Sequence, residues 1–180
     1  MSDRESLIEM LLEGCELLGC NLELQQARKF MQYFDLVKEW NQKINLTGIK
    51  DDREFIIKHF IDSLSGVPLI GSQGRLVDIG SGAGFPGLPL KLFYPELEVF
   101  LVESVGKKAE FIEIAATALG LEGVTVVNAR AEEIGRDLRF RETFDYAVCR
   151  AVSELAVIAE YCLPLVKVGG YFIAYKGDDL

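Results

Sequence analysis

Residues 75–87 read Arg-Leu-Val-Asp-Ile-Gly-Ser-Gly-Ala-Gly-Phe-Pro-Gly. A short apolar run ends in the carboxylate of Asp78, and four glycines follow at positions 80, 82, 84 and 87. This pattern predicts a buried strand that passes through a tight turn into a helix. Glycine has no Cβ, so the backbone can adopt a positive φ and come close to a ligand. Because the first N–H groups of the helix lack intrahelical partners, they point at whatever lies beyond the turn. The stretch therefore predicts a loop for a nucleotide-type cofactor.

Two motifs overlap in this glycine loop. Gly82-x-Gly84-x-x-Gly87 matches the dinucleotide fingerprint, and Asp78-x-Gly80-x-Gly82-x-Gly84 matches the first motif of S-adenosylmethionine (SAM) methyltransferases. A dinucleotide would place its pyrophosphate near the Asp78 carboxylate, which is electrostatically unfavourable. SAM has no phosphate and carries a sulfonium and an ammonium group. We therefore expect SAM, bound by Asp78, Gly80, Gly82 and Gly84. NAD(P), FAD or a purely structural turn remain the alternatives.

A second carboxylate follows the next predicted strand. Residues 98–103 read Glu-Val-Phe-Leu-Val-Glu and end in Glu103, about one strand-helix-strand unit after Asp78. A carboxylate at this place can accept hydrogen bonds from both ribose hydroxyls of a nucleoside. Glu103 is therefore predicted to bind the cofactor ribose. The alternative is an ordinary acid at a strand end.

Periodicity divides the chain into two parts. Amphipathic helices predicted at 6–19, 24–40 and 52–65 form an N-terminal helical region, residues 1–74. Strands and helices then alternate through residues 75–180, which predicts an α/β fold with a Rossmann-like, doubly wound parallel sheet. The predicted strands are 75–79, 98–103, 124–128, 144–149 and 170–176, and the predicted helices are 87–93, 106–119 and 153–167. The antiparallel strand pair that usually ends a SAM-methyltransferase sheet is expected to be missing.

Composition narrows the class of protein. The 180 residues carry a net charge of −9, with one histidine and four cysteines that lack a C-x-x-C spacing. The cysteines lie in apolar segments and read as buried, reduced thiols, and no metal site is expected. No apolar run is long enough to span a membrane, and no signal segment precedes the first helix. We therefore expect a cytoplasmic protein that does not bind membranes.

Two further segments supply candidate site residues. The turn at 128–133 follows the third strand, where Ala131 and Glu132 can meet an adenine ring; a helix N-terminal acid is the alternative for Glu132. Arg150 ends the fourth strand, where a guanidinium suits a guanine edge, a phosphate or the SAM carboxylate, with an ion pair to a neighbouring acid as the alternative. The Asn/Asp-Pro-Pro-Tyr/Phe motif of adenine amino-methyltransferases is absent there. Cys149 reads as a structural thiol rather than the nucleophile of a cytosine-C5 methyltransferase.

The candidate RNA contacts are His59, Lys107, Lys108 and Arg130. The negative total charge argues mildly against a nucleic-acid partner, but RNA binding needs only a local positive face. From charge alone, solvated helix faces are the simpler interpretation of these basic residues. His59 is equally compatible with a structural role, and Asp62 lies one helical turn away from it.

A series of motifs is similar to the RsmG family, also called GidB, from about residue 35 to the end. In order, these are Trp40-Asn41 with Asn45-Leu46-Thr47; His59-Phe60-Ile61-Asp62-Ser63-Leu64; Val77 to Gly87, with its Phe-Pro-Gly ending; Glu103-Ser104-Val105-Gly106-Lys107-Lys108; Arg130-Ala131-Glu132-Glu133; Arg150-Ala151; and Tyr175-Lys176-Gly177. The resemblance implies a bacterial cytoplasmic enzyme that makes N7-methylguanine in 16S ribosomal RNA.

The same resemblance implies roles for individual residues. SAM contacts are implied for Gly80, Phe85, Ala131, Glu132 and Arg150, and a ribose contact for Glu103. The helical region and the His59 segment are implied to present RNA. Guanine N7 carries a lone pair and no proton, so methylation there needs alignment rather than a general base. We assign no certain catalytic residue and take Arg150 as the positioning candidate.

The expected partner is 16S rRNA or the small ribosomal subunit, acted on by a monomer. A SAM-dependent methyltransferase for a small molecule or protein is the alternative, followed by a SAM-binding module without activity.

Overall fold

The computed structural model describes residues 3–150 and 154–176. The chain begins with two long helices, α1 (Asp3–Leu17) and α2 (Leu24–Trp40). Their buried residues recur at helical spacing, so each helix turns one apolar side inward. The predicted third helix is present, but its middle is a π-helical segment, Ile56–Ile61, between α3 (Asp52–Phe55) and α4 (Asp62–Leu64).

Five parallel strands follow in the order β3-β2-β1-β4-β5. They are β1 (Gly74–Ile79), β2 (Leu97–Val102), β3 (Val124–Val127), β4 (Phe144–Arg150) and β5 (Val166–Tyr175). The connecting helices are α5 (Gly87–Phe93), α6 (Gly106–Ala118), α7 (Ala131–Ile134) and α8 (Leu155–Cys162). The predicted α/β doubly wound sheet is therefore confirmed. Its order reverses between β1 and β4, and ligands bind at such a switch point, beyond the carboxyl ends of the strands.

Two neighbouring predicted boundaries are wrong. A helix was expected over 153–167, but α8 ends at Cys162 and a 3-10 turn covers Leu163–Leu165. The last strand was expected to begin at residue 170, but β5 begins at Val166. Pro164 explains the early end, because proline has no N–H to donate and its ring clashes with the preceding helical turn. Residues 151–153 and 177–180 lie outside the described residues, and so do the Ala151 and Gly177 ends of two family motifs. Within residues 3–150 and 154–176 all strand pairs are parallel.

The hydrophobic core joins the two parts of the chain. One cluster of buried residues runs from Leu11 and Phe30 in the N-terminal helices to Leu76 and Leu101 in the sheet. A second cluster fills the other face of the sheet, around Val77 and Phe144. The N-terminal helices are thus packed on the sheet next to the loop that follows β1. A division into folding units at residue 74 stays a prediction.

The prediction that the cysteines are buried free thiols is confirmed for all four: Cys15, Cys20, Cys149 and Cys162. Burial raises the pKa of the Cys15 thiol to about 12. None of the helices in the described ranges has the length and apolarity needed to cross a bilayer.

Candidate functional site

The glycine loop after β1 has the backbone that its sequence predicts. Gly80, Gly82 and Gly84 have φ values of 73°, 59° and 94°. Other residues rarely adopt this left-handed region. The N–H groups of Gly80 and Ser81 donate to the carbonyl of Val102 at 2.9 and 3.1 Å. The loop is therefore tied to the end of β2, at the switch point of the sheet.

The glycines serve two purposes. A Cβ on Gly84 would lie 2.7 Å from the hydroxyl of Tyr33, and a Cβ on Gly87 would lie 2.6 Å from Leu101, so both positions need glycine for close packing. A Cβ on Gly82 would meet nothing within 4 Å. One side of the loop is therefore filled by protein, and the other is open.

Asp78 lies beneath the loop and is completely buried. Its Oδ2 accepts a hydrogen bond from the Gly87 N–H at 2.8 Å, which fixes the start of α5. Its Oδ1 is the one buried side-chain polar atom, among the residues described, that has no partner. Burial raises the pKa of Asp78 to about 7, against smaller lowering effects of the Gly87 hydrogen bond and Arg150. A direct cofactor contact by Asp78 stays a prediction.

Glu103 is the carboxylate that meets the open part of the loop. Its Oε2 accepts from the Gly82 N–H and its Oε1 from the Val105 N–H, both at 2.8 Å. Asn128 donates from Nδ2 to the Glu103 carbonyl at 2.7 Å. Each carboxylate oxygen has a second lone-pair site, so these bonds orient Glu103 and leave it acceptor capacity. The structure thus brings Glu103 to the glycine loop, and its contact with the cofactor ribose stays a prediction.

A cleft of about 420 Å³ opens beside the loop, at the carboxyl ends of β1, β2 and β3. This volume is within the usual range for small-molecule sites. Four residues predicted for cofactor or RNA binding line the cleft: Gly80, Arg130, Ala131 and Glu132. A larger open groove of about 1030 Å³ lies along α1, lined by acids such as Glu9 and Glu13, and it includes none of the predicted site residues.

The cleft also contains residues that the sequence analysis missed. Ser104 follows β2, and Val157 and Tyr161 line the cleft from α8. The hydroxyl of Tyr161 donates to Oε1 of Glu132 at 3.1 Å. The sequence signal for Ser104 was its place directly after Glu103. Tyr161 gave no such signal, because only the fold brings α8 to α7.

Arg150 extends away from the cleft lining and toward the N-terminal helices. Its Nη1 donates to the Lys58 carbonyl and to Asp62 Oδ2, both at 2.9 Å, and its side chain is only 14% exposed. Its guanidinium carbon lies 5.3 Å from the centre of the Phe85 ring. In this structure the guanidinium makes the ion pair that was the structural alternative. Its predicted contact with SAM or guanine stays a prediction.

His59 occupies the same interface. Its ring is stacked on Phe85, with centroids 4.5 Å apart and planes inclined by 2°. Arg150 has only donors, so Nδ1 of His59 accepts from its Nη2 at 3.3 Å. Nε2 then carries the proton and donates to Thr47 Oγ1 at 2.7 Å. Burial, followed by Arg150 and Lys58, lowers the pKa of His59 to about 4. His59 is therefore a neutral residue, and Asp62 pairs with Arg150 instead.

Phe85 belongs to the packed side of the loop and not to the cleft lining. Its ring lies 5.2 Å from that of Tyr33, and the Tyr33 hydroxyl donates to the Ala83 carbonyl. Asn41 organises the neighbouring turn by accepting from the N–H groups of Leu46 and Thr47 at 2.8 and 3.0 Å. The Tyr33 contacts attach the helical region to the back of the glycine loop.

The basic candidates lie at the same edge of the sheet as the cleft. Lys107 and Lys108 are in the first turn of α6, directly after the Glu103 segment, and neither forms an ion pair within the described ranges. Arg130 is exposed and precedes α7. His59 lies apart from them, at the interface with the helices.

The hydrogen-bond acceptors in and beside the cleft fit SAM. An open glycine loop meets the carboxylate of Glu103, and a second carboxylate lines the cleft at Glu132. These acceptors suit a ligand with a ribose, an amino-bearing base and two cationic centres, and they disfavour a pyrophosphate. No group of three or more metal-ligating side chains occurs in residues 3–150 and 154–176.

The sheet order, the glycine loop and these acceptor groups define a SAM-dependent methyltransferase of Rossmann-like fold. Within that class, the model of the family GidB, described as rRNA small subunit methyltransferase G, matches residues 26–180. The chain belongs to this family.

Similar proteins agree with that assignment. Ribosomal RNA small subunit methyltransferase G of Acetivibrio thermocellus is 50% identical over 181 residues, which covers 99% of this chain and 75% of the relative. The protein of the same name from Roseiflexus castenholzii is 52% identical, over 96% of this chain and 74% of the relative. A solved coclaurine N-methyltransferase with S-adenosylhomocysteine (SAH) shares the fold, at a TM-score of 0.56 and 14% identity, over 94% of this chain and 56% of that one.

Proposed function

We propose that this protein transfers a methyl group from SAM to N7 of a guanine in 16S rRNA of the small ribosomal subunit. When bound, SAM supplies a methyl group on a positively charged sulfur. The curated relatives are named as small subunit rRNA methyltransferases, which supports the substrate class. The N7 position follows from the family resemblance and from the chemistry of the site.

The observation that carries the N7 proposal is the state of His59. It is the only histidine of the chain, and it is neutral, half-buried and bonded at both ring nitrogens. A histidine whose pKa is lowered to about 4 is a weak base at neutral pH, which makes it a poor candidate for removing a proton from a substrate. Guanine N7 has an in-plane lone pair and no proton, so its methylation needs no general base. Approach and alignment alone can lower the barrier by about 7–11 kcal/mol.

A thiolate mechanism at cytosine C5 has less support. Cys149 is fully buried in the second core cluster, and the neighbouring Cys162 has a raised pKa because of its hydrogen bond to Cys149 and its burial. Cys149 is not among the residues that line the cleft, so its thiol is out of reach of a base bound there. These features support positioning chemistry over nucleophilic catalysis.

The proposed RNA contacts are Lys107, Lys108 and Arg130, all at the cleft edge. The acids of α1 lie along a separate groove, so part of the negative net charge of the chain lies away from this edge. The attraction between basic side chains and phosphates acts locally and is screened beyond about 10 Å at 0.1 M salt. We propose that the RNA approaches over α6 and α7.

We also propose that the protein acts as a monomer in the cytoplasm. Light scattering measures its oligomeric state.

The test is methyl transfer from labelled SAM to 16S rRNA and to small ribosomal subunits. Nuclease digestion and mass spectrometry are expected to show N7-methylguanine in one substrate or both. A Gly80→Glu variant, which places a bulky anion in the glycine loop, is the inactive control. Label found in another base, or only in protein or small molecules, would contradict the proposal.

A further inference from the structure

We propose that Tyr161 is a positioning residue that makes the cofactor site selective for adenine, by orienting the Glu132 carboxylate toward the 6-amino group of the base. This inference rests on the proposed function, because it assumes that the adenosine of SAM occupies the cleft next to Glu132. It concerns a residue for which the sequence motifs predict no role.

The geometry joins two helices across the cleft. Glu132 is in the first turn of α7, which follows β3, and Tyr161 is near the end of α8. Both line the cleft, and the Tyr161 hydroxyl donates to Oε1 of Glu132 at 3.1 Å. A phenol has one proton to donate, so this bond occupies only one carboxylate oxygen. Oε2 retains its capacity to accept a hydrogen bond.

The ionisation state of Glu132 determines what it selects. Its own backbone N–H and the Tyr161 hydroxyl lower the pKa of Glu132, so it is an ionised carboxylate at neutral pH. An ionised carboxylate only accepts hydrogen bonds. It can therefore pair with the amino group of adenine, whereas the carbonyl oxygen of hypoxanthine would face it with like partial charge. The site thus favours adenine over an analogue of the same shape.

Tyr161 matters because it is the partner that holds Glu132 from another helix; the other hydrogen bond to this carboxylate comes from the backbone N–H of Glu132 itself. Glu132 is exposed, and α7 has only four residues. A free glutamate loses rotamer freedom when it binds a ligand, which weakens binding. The hydroxyl of Tyr161 restricts the carboxylate before the ligand arrives. Removing that hydroxyl should reduce the preference for adenine without removing the carboxylate itself.

The experiment compares two ligands by calorimetry: SAH and S-inosylhomocysteine, in which an oxygen replaces the amino group. The wild-type protein is expected to prefer SAH. Tyr161→Phe should reduce that preference by about three- to tenfold, the value of one modest hydrogen bond. Glu132→Gln should largely abolish it, because an amide can donate as well as accept. In the Glu132→Gln background, Tyr161→Phe should change the preference no further.

The control is Tyr171→Phe, which removes a hydroxyl from a tyrosine that is 58% exposed on β5, outside the cleft. It should leave both affinities unchanged. The inference is overturned if the wild type binds both ligands equally, or if Tyr161→Phe keeps the full preference. It is also overturned if Tyr161→Phe weakens both ligands equally, as a purely structural role would.

The same samples separate this inference from the proposed function. A protein that discriminates through Tyr161 but makes no N7-methylguanine contradicts only the proposed function. A protein that makes N7-methylguanine while Tyr161→Phe leaves discrimination intact contradicts only the inference.

Discussion

The two sides of the glycine loop differ in almost every physical respect. The back, toward α2 and the π-helical segment, is closed by Tyr33, Phe85 and His59 and has little access to water. The front, toward the cleft, is open at Gly82 and lined by Glu132 and exposed Arg130. The two sides of the loop therefore have different roles. The back fixes the backbone through packing, and the front keeps unused hydrogen-bonding groups for a ligand.

This division explains why the N-terminal helices and the sheet share one core. In the SAM-binding half alone, the loop would be supported by Asp78 and the end of β2. The helices add a tyrosine hydroxyl on the Ala83 carbonyl and a stacked ring on Phe85. We therefore expect substitutions at the back to lower stability the most, and substitutions at the front to change mainly binding.

The largest expected effect separates two glycines of the same loop. In Gly84→Ala, the new Cβ would lie 2.7 Å from both the Tyr33 hydroxyl and Leu88 Cδ1, at a φ of 94°. Overpacking and backbone strain should together lower the free energy of unfolding by about 2–5 kcal/mol. In Gly82→Ala, at a φ of 59° with nothing within 4 Å, only strain of about 1–2 kcal/mol is expected. Urea denaturation measures both, and equal losses would contradict the distinction between back and front.

The next effect concerns the hydroxyl that joins α2 to the loop. Tyr33→Phe keeps the ring on Phe60 and Phe85 but leaves the Ala83 carbonyl without its donor. The free energy of unfolding should fall by about 1–3 kcal/mol, the cost of a buried acceptor left unpaired. Tyr171→Phe is the matched control, since surface substitutions of this kind usually stay within about 0.5 kcal/mol. A Tyr33→Phe protein as stable as this control would show that the hydroxyl does not support the loop.

The sequence predicts much of this arrangement, and the limit is physical. Strand and helix positions depend on local periodicity and on glycine and proline, so β1, α5 and α6 agree with the predictions to within one residue. The glycine loop and Glu103 also follow from local motifs. The ion pair of Arg150 does not follow from local motifs, because its partner Asp62 is 88 residues away in the chain. Tyr161 is likewise 29 residues from Glu132, and no local pattern reports a contact that only the packing of two helices creates.

At the front, we expect substitutions of basic residues to change the affinity for RNA rather than the free energy of unfolding. Lys107→Glu combined with Lys108→Glu places two negative charges beside the path proposed for RNA. Affinity for 16S rRNA should fall about tenfold or more at low salt, and the dependence of affinity on salt should become weaker. SAH affinity and the free energy of unfolding should stay close to wild type. As a control, Lys29→Glu together with Lys38→Glu makes the same charge change on α2. If both pairs weaken RNA binding equally, the cleft edge is not the RNA face.

The last prediction uses the buried Asp78 and the half-buried His59, whose titrations have opposite effects on stability. The folded-state pKa of His59 is lowered from 6.5 to about 4, so the unfolded chain binds more protons between these values. Stability from His59 is therefore complete above about pH 6.5 and is lost as the pH falls toward 4. The folded-state pKa of Asp78 is raised from 3.8 to about 7, so the folded protein binds more protons in that window. Stability from protonated Asp78 is complete below about pH 4 and is lost as the pH rises through 7.

Between pH 4.5 and 6 these two contributions should nearly cancel, and single variants should reveal them as slopes of opposite sign. Asp78→Asn leaves His59, so stability should rise with pH by up to about 1 kcal/mol per pH unit relative to wild type. His59→Gln leaves Asp78, so stability should fall with pH by a similar amount. Because the chain has a single histidine, imidazole NMR reads its pKa directly, and Arg150→Gln should raise it. Parallel pH profiles for the two variants, or a His59 pKa near 6.5, would mean that water reaches the back of the loop as freely as the front.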